Sequence, residues 1–122
     1  MSRAPEPAEL FSALSDGLRL RLLAVLRGGE FCVSELVEAV GVPQYRVSRH
    51  LRALRQVGLL ERHRAGRWIW YRVAPERAAL VEEVLTLARQ WEEPGRPRGA
   101  SRRAIRWRHD ARVPNRAVRG GG

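Results

Sequence analysis

At 122 residues the chain has room for one domain with a modest core, and none for a second of comparable size. Its hydrophobic fraction of 44% is that of a globular protein, but a formal net charge of +10, carried by 23 arginines and no lysine, calls for a polyanionic partner, nucleic acid before an anionic membrane. A single cysteine excludes an intrachain disulfide, and nothing approaches the ~18 consecutive apolar residues of a membrane span, so no membrane partner is expected.

The beginning of the chain carries Glu6, Glu9 and two prolines where a secretory signal would have an apolar run, so a cytoplasmic protein is expected. Residues 1–6 read as a short tail. Pro7 to Leu14 reads as a first helix with Leu10, Phe11 and Leu14 in one stripe. Ser15 and Asp16 are N-cap types and introduce a second helix from Gly17 to Arg27, with Leu18, Leu22, Val25 and Leu26 facing inward until Gly28 and Gly29 stop it. Cys32 to Val40 reads as a third, short helix. Glu35 is placed as the acidic arm of a capping box whose capping position is Cys32.

Gly41 then makes a turn, and within the stretch Val42 to Gly58 a fourth helix follows from about Pro43 until Gly58 ends it. Val47, Leu51 and Leu54, spaced four and then three apart, lie on one side of it. At about 100° per residue, Tyr45, Arg49, Arg52 and Gln56 fall on the other. Two short helices around a glycine, the second presenting a long-armed cationic face, form a helix-turn-helix whose second helix suits the major groove of DNA. After Gly58, Leu59 to Arg64 and Arg67 to Val73 read as strands joined at Ala65 and Gly66. Ile69, Tyr71 and Val73 alternate there with Trp68, Trp70 and Arg72. A hairpin directly after a helix-turn-helix is a wing, here with Arg64 and Arg67 at its tip.

Pro75 suits the first turn of a last helix, in which Leu80, Val84, Leu87 and Trp91 recur at helical spacing to about Glu92. A domain this small cannot cover both this helix and the first. Leu10, Phe11, Leu14, Leu80, Val84, Leu87 and Trp91 are therefore read as a homodimer interface. Residues 94–122 hold nine arginines and one acid, a charge of +8 that leaves +2 for residues 1–93. Prolines and glycines there break any long helix, giving a basic Arg/Gly/Pro-rich tail. The expected fold is mainly α (α+β), a winged helix-turn-helix of about five helices plus a two-stranded β-hairpin wing. Residues 7–93 would form its DNA-binding and dimerisation domain.

The run from Phe11 to Leu23 (FSALSDGLRLRLL) resembles the opening of the ArsR/SmtB winged-helix repressors, which have a similar L-x-D-x-x-R-L-x-I-L pattern. Glu30 to Leu36 (EFCVSEL) resembles their E-L-C-V-C-E-L segment. Val47 to Leu54 followed by Val57 to Leu59 is similar to their recognition helix, and Gly66 to Val73 to their second wing strand. The resemblance covers roughly residues 8–92. It implies a homodimer that represses transcription from a pseudo-palindromic operator in double-stranded DNA and is released by an inducer, often a thiophilic metal or arsenite. It also places Gln44, Ser48 and His50 on the family's Q-x-x-V-S-x-H-L positions. The chain departs from the family at its metal sites: Ser34 replaces the second cysteine, and residues 76–92 contain neither histidine nor aspartate.

The candidate DNA-binding residues are thus Gln44, Tyr45, Arg46, Ser48, Arg49, His50 and Arg52 on the helix and Arg64 and Arg67 on the wing, with Arg49 first in line for a guanine edge. Cys32 is the candidate sensor, and three readings of it stand side by side: a small buried or capping residue, a thiol activated at a helix N-terminus, or one ligand of a thiophilic metal. One cysteine leaves such a metal site incomplete, and no cofactor is otherwise indicated. No Ser/His/Asp set, carboxylate pair or phosphate loop suggests catalysis. The competing function is a non-inducible architectural protein, bound to nucleic acid through its basic tail with little regard for sequence.

Overall fold

A computed structural model of the chain describes residues 6–91. The elements run α1 (Pro7–Leu14), α2 (Gly17–Leu26), β1 (Phe31–Cys32), α3 (Val33–Val40), α4 (Gln44–Gln56), β2 (Leu60–Ala65), β3 (Trp68–Val73) and α5 (Ala78–Trp91), with a single 3-10 turn at Pro75–Arg77 leading into α5. The starts of α1, α2 and α3 have local causes. Pro7 opens α1, where a missing N–H costs nothing. Asp16 caps α2, its Oδ1 accepting from the amides of Leu18 at 2.9 Å and Arg19 at 3.1 Å. Glu35 reaches back to accept from the Cys32 N–H at 3.0 Å, the expected arm of the capping box.

The core is built around α2. Leu18, Leu22, Leu23, Val25 and Leu26 are all buried, so this helix is surrounded rather than one-sided. Leu36 and Ala39 of α3, Val47, Leu51 and Leu54 of α4, and Val81 and Leu85 of α5 close on it. The turn between α3 and α4 is made at Gly41, whose φ of 72° is left-handed and whose N–H bonds Val37 O at 2.8 Å. The helix-turn-helix expected from the sequence is formed.

The sheet differs from expectation by one strand. Its order is β1-β3-β2, all antiparallel, with Phe31 opposite Tyr71 and Cys32 opposite Trp70. Cys32 therefore ends a strand as well as capping α3. A two-residue strand has no periodicity to read and exists only through its pairing. The extra strand also explains why the expected in-out alternation fails in β3, where Trp70 and Tyr71 are both buried. As the middle strand, β3 is covered on both faces, Tyr71 by the core and Trp70 beside Cys32 and His63, its partners across the sheet. The strands of the wing run one residue further in on the first arm and start one later on the second. Gly66 and Arg67 thus make a two-residue turn, with Gly66 at φ 64°.

The apolar residues assigned to a dimer face divide into three groups. Leu14 is buried in the chain's own core, so it is not available to a partner, because α1 lies close enough to α2 to use that side chain itself. Leu10, Leu80 and Val84 are half-buried against the core. Phe11, Leu87 and Trp91 stand at 66%, 65% and 88% exposure. No helix among the described residues is long and apolar enough to cross a membrane. The basic tail, residues 94–122, and most of the N-terminal tail lie outside the described residues.

Candidate nucleic-acid interface

Helix α4 is held by its inner stripe and armed on its outer one. Val47, Leu51 and Leu54 have no exposed surface, which fixes the rotation of the helix about its axis. Gln44, Tyr45, Arg46, Arg49 and Arg52 are consequently exposed, and Ser48 and His50 are half-buried at the edges of the stripe. Tyr45, 69% exposed, is one of the few large apolar surfaces left in water. Among the described residues neither the Arg49 nor the Arg52 side chain is engaged in a hydrogen bond or ion pair. Their donors remain available to an outside acceptor.

Other arginines are neutralised where they stand. Arg27 forms a two-pronged pair with Glu82, both contacts at 2.7 Å, which ties α2 to α5. This pairing holds the Glu82 carboxyl below and the Arg27 guanidinium above their ordinary ranges. Arg72 of β3 donates to Glu61 at 2.8 Å and lies 3.5 Å from Glu30. The small charge of the folded part is thus spread unevenly: Arg27 and Arg72 are paired with carboxylates, whereas among the described residues Arg49 and Arg52 on the outer side of α4 are not.

On the wing, Arg64 and Arg67 are both exposed, and the Arg67 guanidinium lies 6.0 Å from the centre of the Trp68 ring. The register puts Arg64 opposite Ile69 and Arg62 opposite Tyr71, so Arg62 and Arg64 share one face of β2. Arg62 bonds the Tyr71 hydroxyl at 3.5 Å. Arg62 was not singled out from the sequence, although its two-residue spacing from Arg64 marks it for the same face.

Arg19 was missed as well. It leaves α2 to donate its Nε–H to His50 Nδ1 at 3.0 Å and an Nη1–H to the Ala13 carbonyl of α1 at 3.3 Å. An imidazole that accepts at Nδ1 is neutral and carries its proton on Nε2. Burial is the main cause that pushes His50 below its ordinary pKa; Asp16, 4.0 Å away, acts upward, and Arg19, Arg49 and Arg46 act downward. At Asp16 burial acts upward, but the Arg19 and Leu18 amides and the neighbouring His50 and Arg19 outweigh it and hold the carboxyl below its ordinary value.

Cys32 is buried, with its Sγ 3.3 Å from Ser34 Oγ, the hydroxyl that replaces the second cysteine of the resembling segment. Among the described residues no group of three or more histidine, cysteine, aspartate or glutamate side chains is arranged to hold a metal ion. His63 lies on the wing 4.0 Å from Glu30, and His109 falls outside the described residues.

Known proteins of the same shape and pattern bear on what this surface does. The pattern described as "Bacterial regulatory protein, arsR family" matches residues 16–62, from the cap of α2 to the first wing strand. The chain is 38% identical over 93 residues to the arsenic resistance transcriptional regulator ArsR1 of Pseudomonas putida, covering 72% of this chain and 73% of that one. It superimposes with a TM-score of 0.64 and 30% identity on the homodimeric winged helix-turn-helix DNA-binding domain Mb0332 of Mycobacterium bovis, covering 80% of this chain and 98% of that one. The transcriptional repressor BigR of Xylella fastidiosa gives a TM-score of 0.60 at 36% identity, over 70% of this chain and 87% of that one.

Proposed function

This chain belongs to the arsR family of bacterial regulatory proteins, and on that premise we propose that it acts as a homodimeric repressor that grips a pseudo-palindromic operator and lets go when an inducer acts. As a member of a family of transcriptional repressors it is a DNA-binding regulator and not an enzyme. In the dimer, two α4 helices would enter successive major grooves about one helical turn apart, roughly 34 Å along the duplex.

The observation that carries this reading is the contrast between the two sides of α4. Three residues without exposed surface hold the helix rigidly, and Arg49 and Arg52 project from it without a counter-ion among the described residues. Gln44, Tyr45, Arg46, Ser48, Arg49, His50 and Arg52 would meet bases and phosphates, and Arg64 and Arg67 the neighbouring backbone or minor groove. A duplex selected by the protein from a random pool supplies the operator. Arg49→Ala should weaken binding to it by about tenfold to a hundredfold, the worth of one guanine–arginine pair at roughly 1–3 kcal/mol, while binding to unrelated DNA changes little. Equal affinity of the unaltered chain for selected and unrelated duplexes would instead favour the architectural reading.

For release, the reading retains a thiol-directed signal at Cys32. What supports it is the position of that residue: one strand residue both pairs with the wing at Trp70 and caps the first helix of the helix-turn-helix. A bulky or charged modification of the sulfur there would press on both DNA-contacting parts at once. A thiophilic metal bound at Cys32 would need its remaining ligands from a partner copy or from outside the described residues.

A further inference from the structure

Between α1 and the later turns of α4 lies an open cleft whose wall includes Ser12, Arg19, Ala53 and Gln56. Arg19 spans the corner at one end of this cleft. Its guanidinium touches α1 at the Ala13 carbonyl and α4 at His50, and its own amide is held by Asp16. One side chain thus joins the helix that carries exposed Phe11 to the helix that carries Arg49. We propose that Arg19 is a positioning residue for DNA binding: it latches α4 to the α1–α2 corner and fixes His50 as a neutral imidazole whose remaining donor is Nε2–H. This rests on α4 being the DNA-reading helix.

The latch has a chemical condition. A protonated His50 cannot accept at Nδ1, and its N–H would then point at a guanidinium. The charged groups around it are Asp16 at the α1–α2 corner, Arg19 on α2, and Arg46 and Arg49 on α4 itself. Three of these four are cations. Asp16 Oδ1 already accepts from two amides of α2 and lies 4.0 Å from Nδ1, so it is a poor substitute partner. Proton uptake therefore releases the imidazole from Arg19, and α4 loses this tie to the α1–α2 corner while its buried stripe stays packed. Burial keeps this from happening at neutral pH.

The test compares the full chain with Arg19→Gln by nitrogen NMR of the His50 ring and by affinity for the selected duplex, between about pH 5 and about pH 8. In the unaltered chain His50 should show the Nε2–H tautomer and titrate below the ordinary 6.5, and affinity should fall as acid breaks the latch. In Arg19→Gln the titration should move up, because a neighbouring cation is gone. Affinity at neutral pH should drop about tenfold, the order expected for a hydrogen bond to a charged group. The acid weakening should disappear. If His50 in Arg19→Gln keeps the unaltered tautomer and titration, the latch does not exist, whatever happens to affinity.

Arg19→Lys serves if the glutamine variant fails to fold. It keeps the cation but loses the fork that reaches Ala13 and His50 together, and should also unlock the tautomer and weaken binding. Unaltered tautomer and affinity in that variant would overturn the proposal. The ring titration is read without DNA, so it decides the latch separately from the DNA-binding reading. An unaltered chain that prefers no duplex would sink that reading alone.

Discussion

Cys32 shows how much one residue's meaning depends on what lies across from it. Its place three residues before Glu35 marked it as a cap, and the Glu35 carboxylate does accept its amide. That its other neighbour is Trp70 of the wing follows only from the folded sheet. Serine is at least as good an N-cap and nearly the same size, so Cys32→Ser should leave operator affinity within about threefold of the unaltered chain. Titration of both complexes with oxidant, persulfide and thiophilic metal then reads the sensor role. Release of the unaltered chain but not of Cys32→Ser is the expected result. Equal release of both would remove Cys32 from the switch, and loss of binding in Cys32→Ser alone would make it a folding residue. His50 and Arg19 teach the complementary lesson. The histidine was recognisable from its place in α4, whereas its partner lies 31 residues earlier and no local pattern joins them.

The elements divide by how local their causes are. Helices α1, α2 and α4 follow from caps, a first-turn proline and apolar spacing, and each forms close to where the sequence places it. The wing was legible as a hairpin because glycine can take the left-handed conformation its turn requires. Its third strand was not, since pairing between Phe31 and Tyr71 links residues forty apart. In the proposed complex, two exposed arginines at such a tip would act chiefly by neutralising phosphates. Replacing Arg64 and Arg67 together by alanine should therefore flatten the logarithmic salt dependence of DNA binding by about two contacts' worth, with little change in preference between sequences. An unchanged slope would take the wing off the DNA.

At the scale of the whole molecule, one chain leaves apolar surface that it does not cover. Phe11, Leu87 and Trp91 are well over half exposed, and half-buried Leu10, Leu80 and Val84 carry the core outward toward them. Exposed apolar side chains of this size are what an association site offers a partner. The similar Mycobacterium bovis domain is homodimeric. The combined change Leu87→Arg and Trp91→Arg should leave the helical signal intact, because both side chains lie outside the core, yet convert the proposed dimer to monomer by light scattering. Operator affinity should fall with it, since a monomer engages one half-site. A double variant that keeps the mass of the unaltered chain would place the interface elsewhere. The Arg27–Glu82 pair beside this face contributes little by itself, about 0.5 kcal/mol at its exposure, so α5 is held mainly through Val81 and Leu85.

By itself, the sequence determined which segments become helices, where the turns fall, and which face of α4 carries arginine. All of these depend on residues within a few positions of one another, through caps, glycine conformations and the 3.6-residue period. Only the tertiary structure decided which arginines keep their charge uncompensated, that Leu14 belongs to the core and Phe11 does not, that Cys32 sits against the wing, and that Arg19 holds His50. Each of these depends on what two distant segments bring within a few ångströms of each other, and the pairing of α2 with α4 or of β1 with β3 is set by how the core packs as a whole.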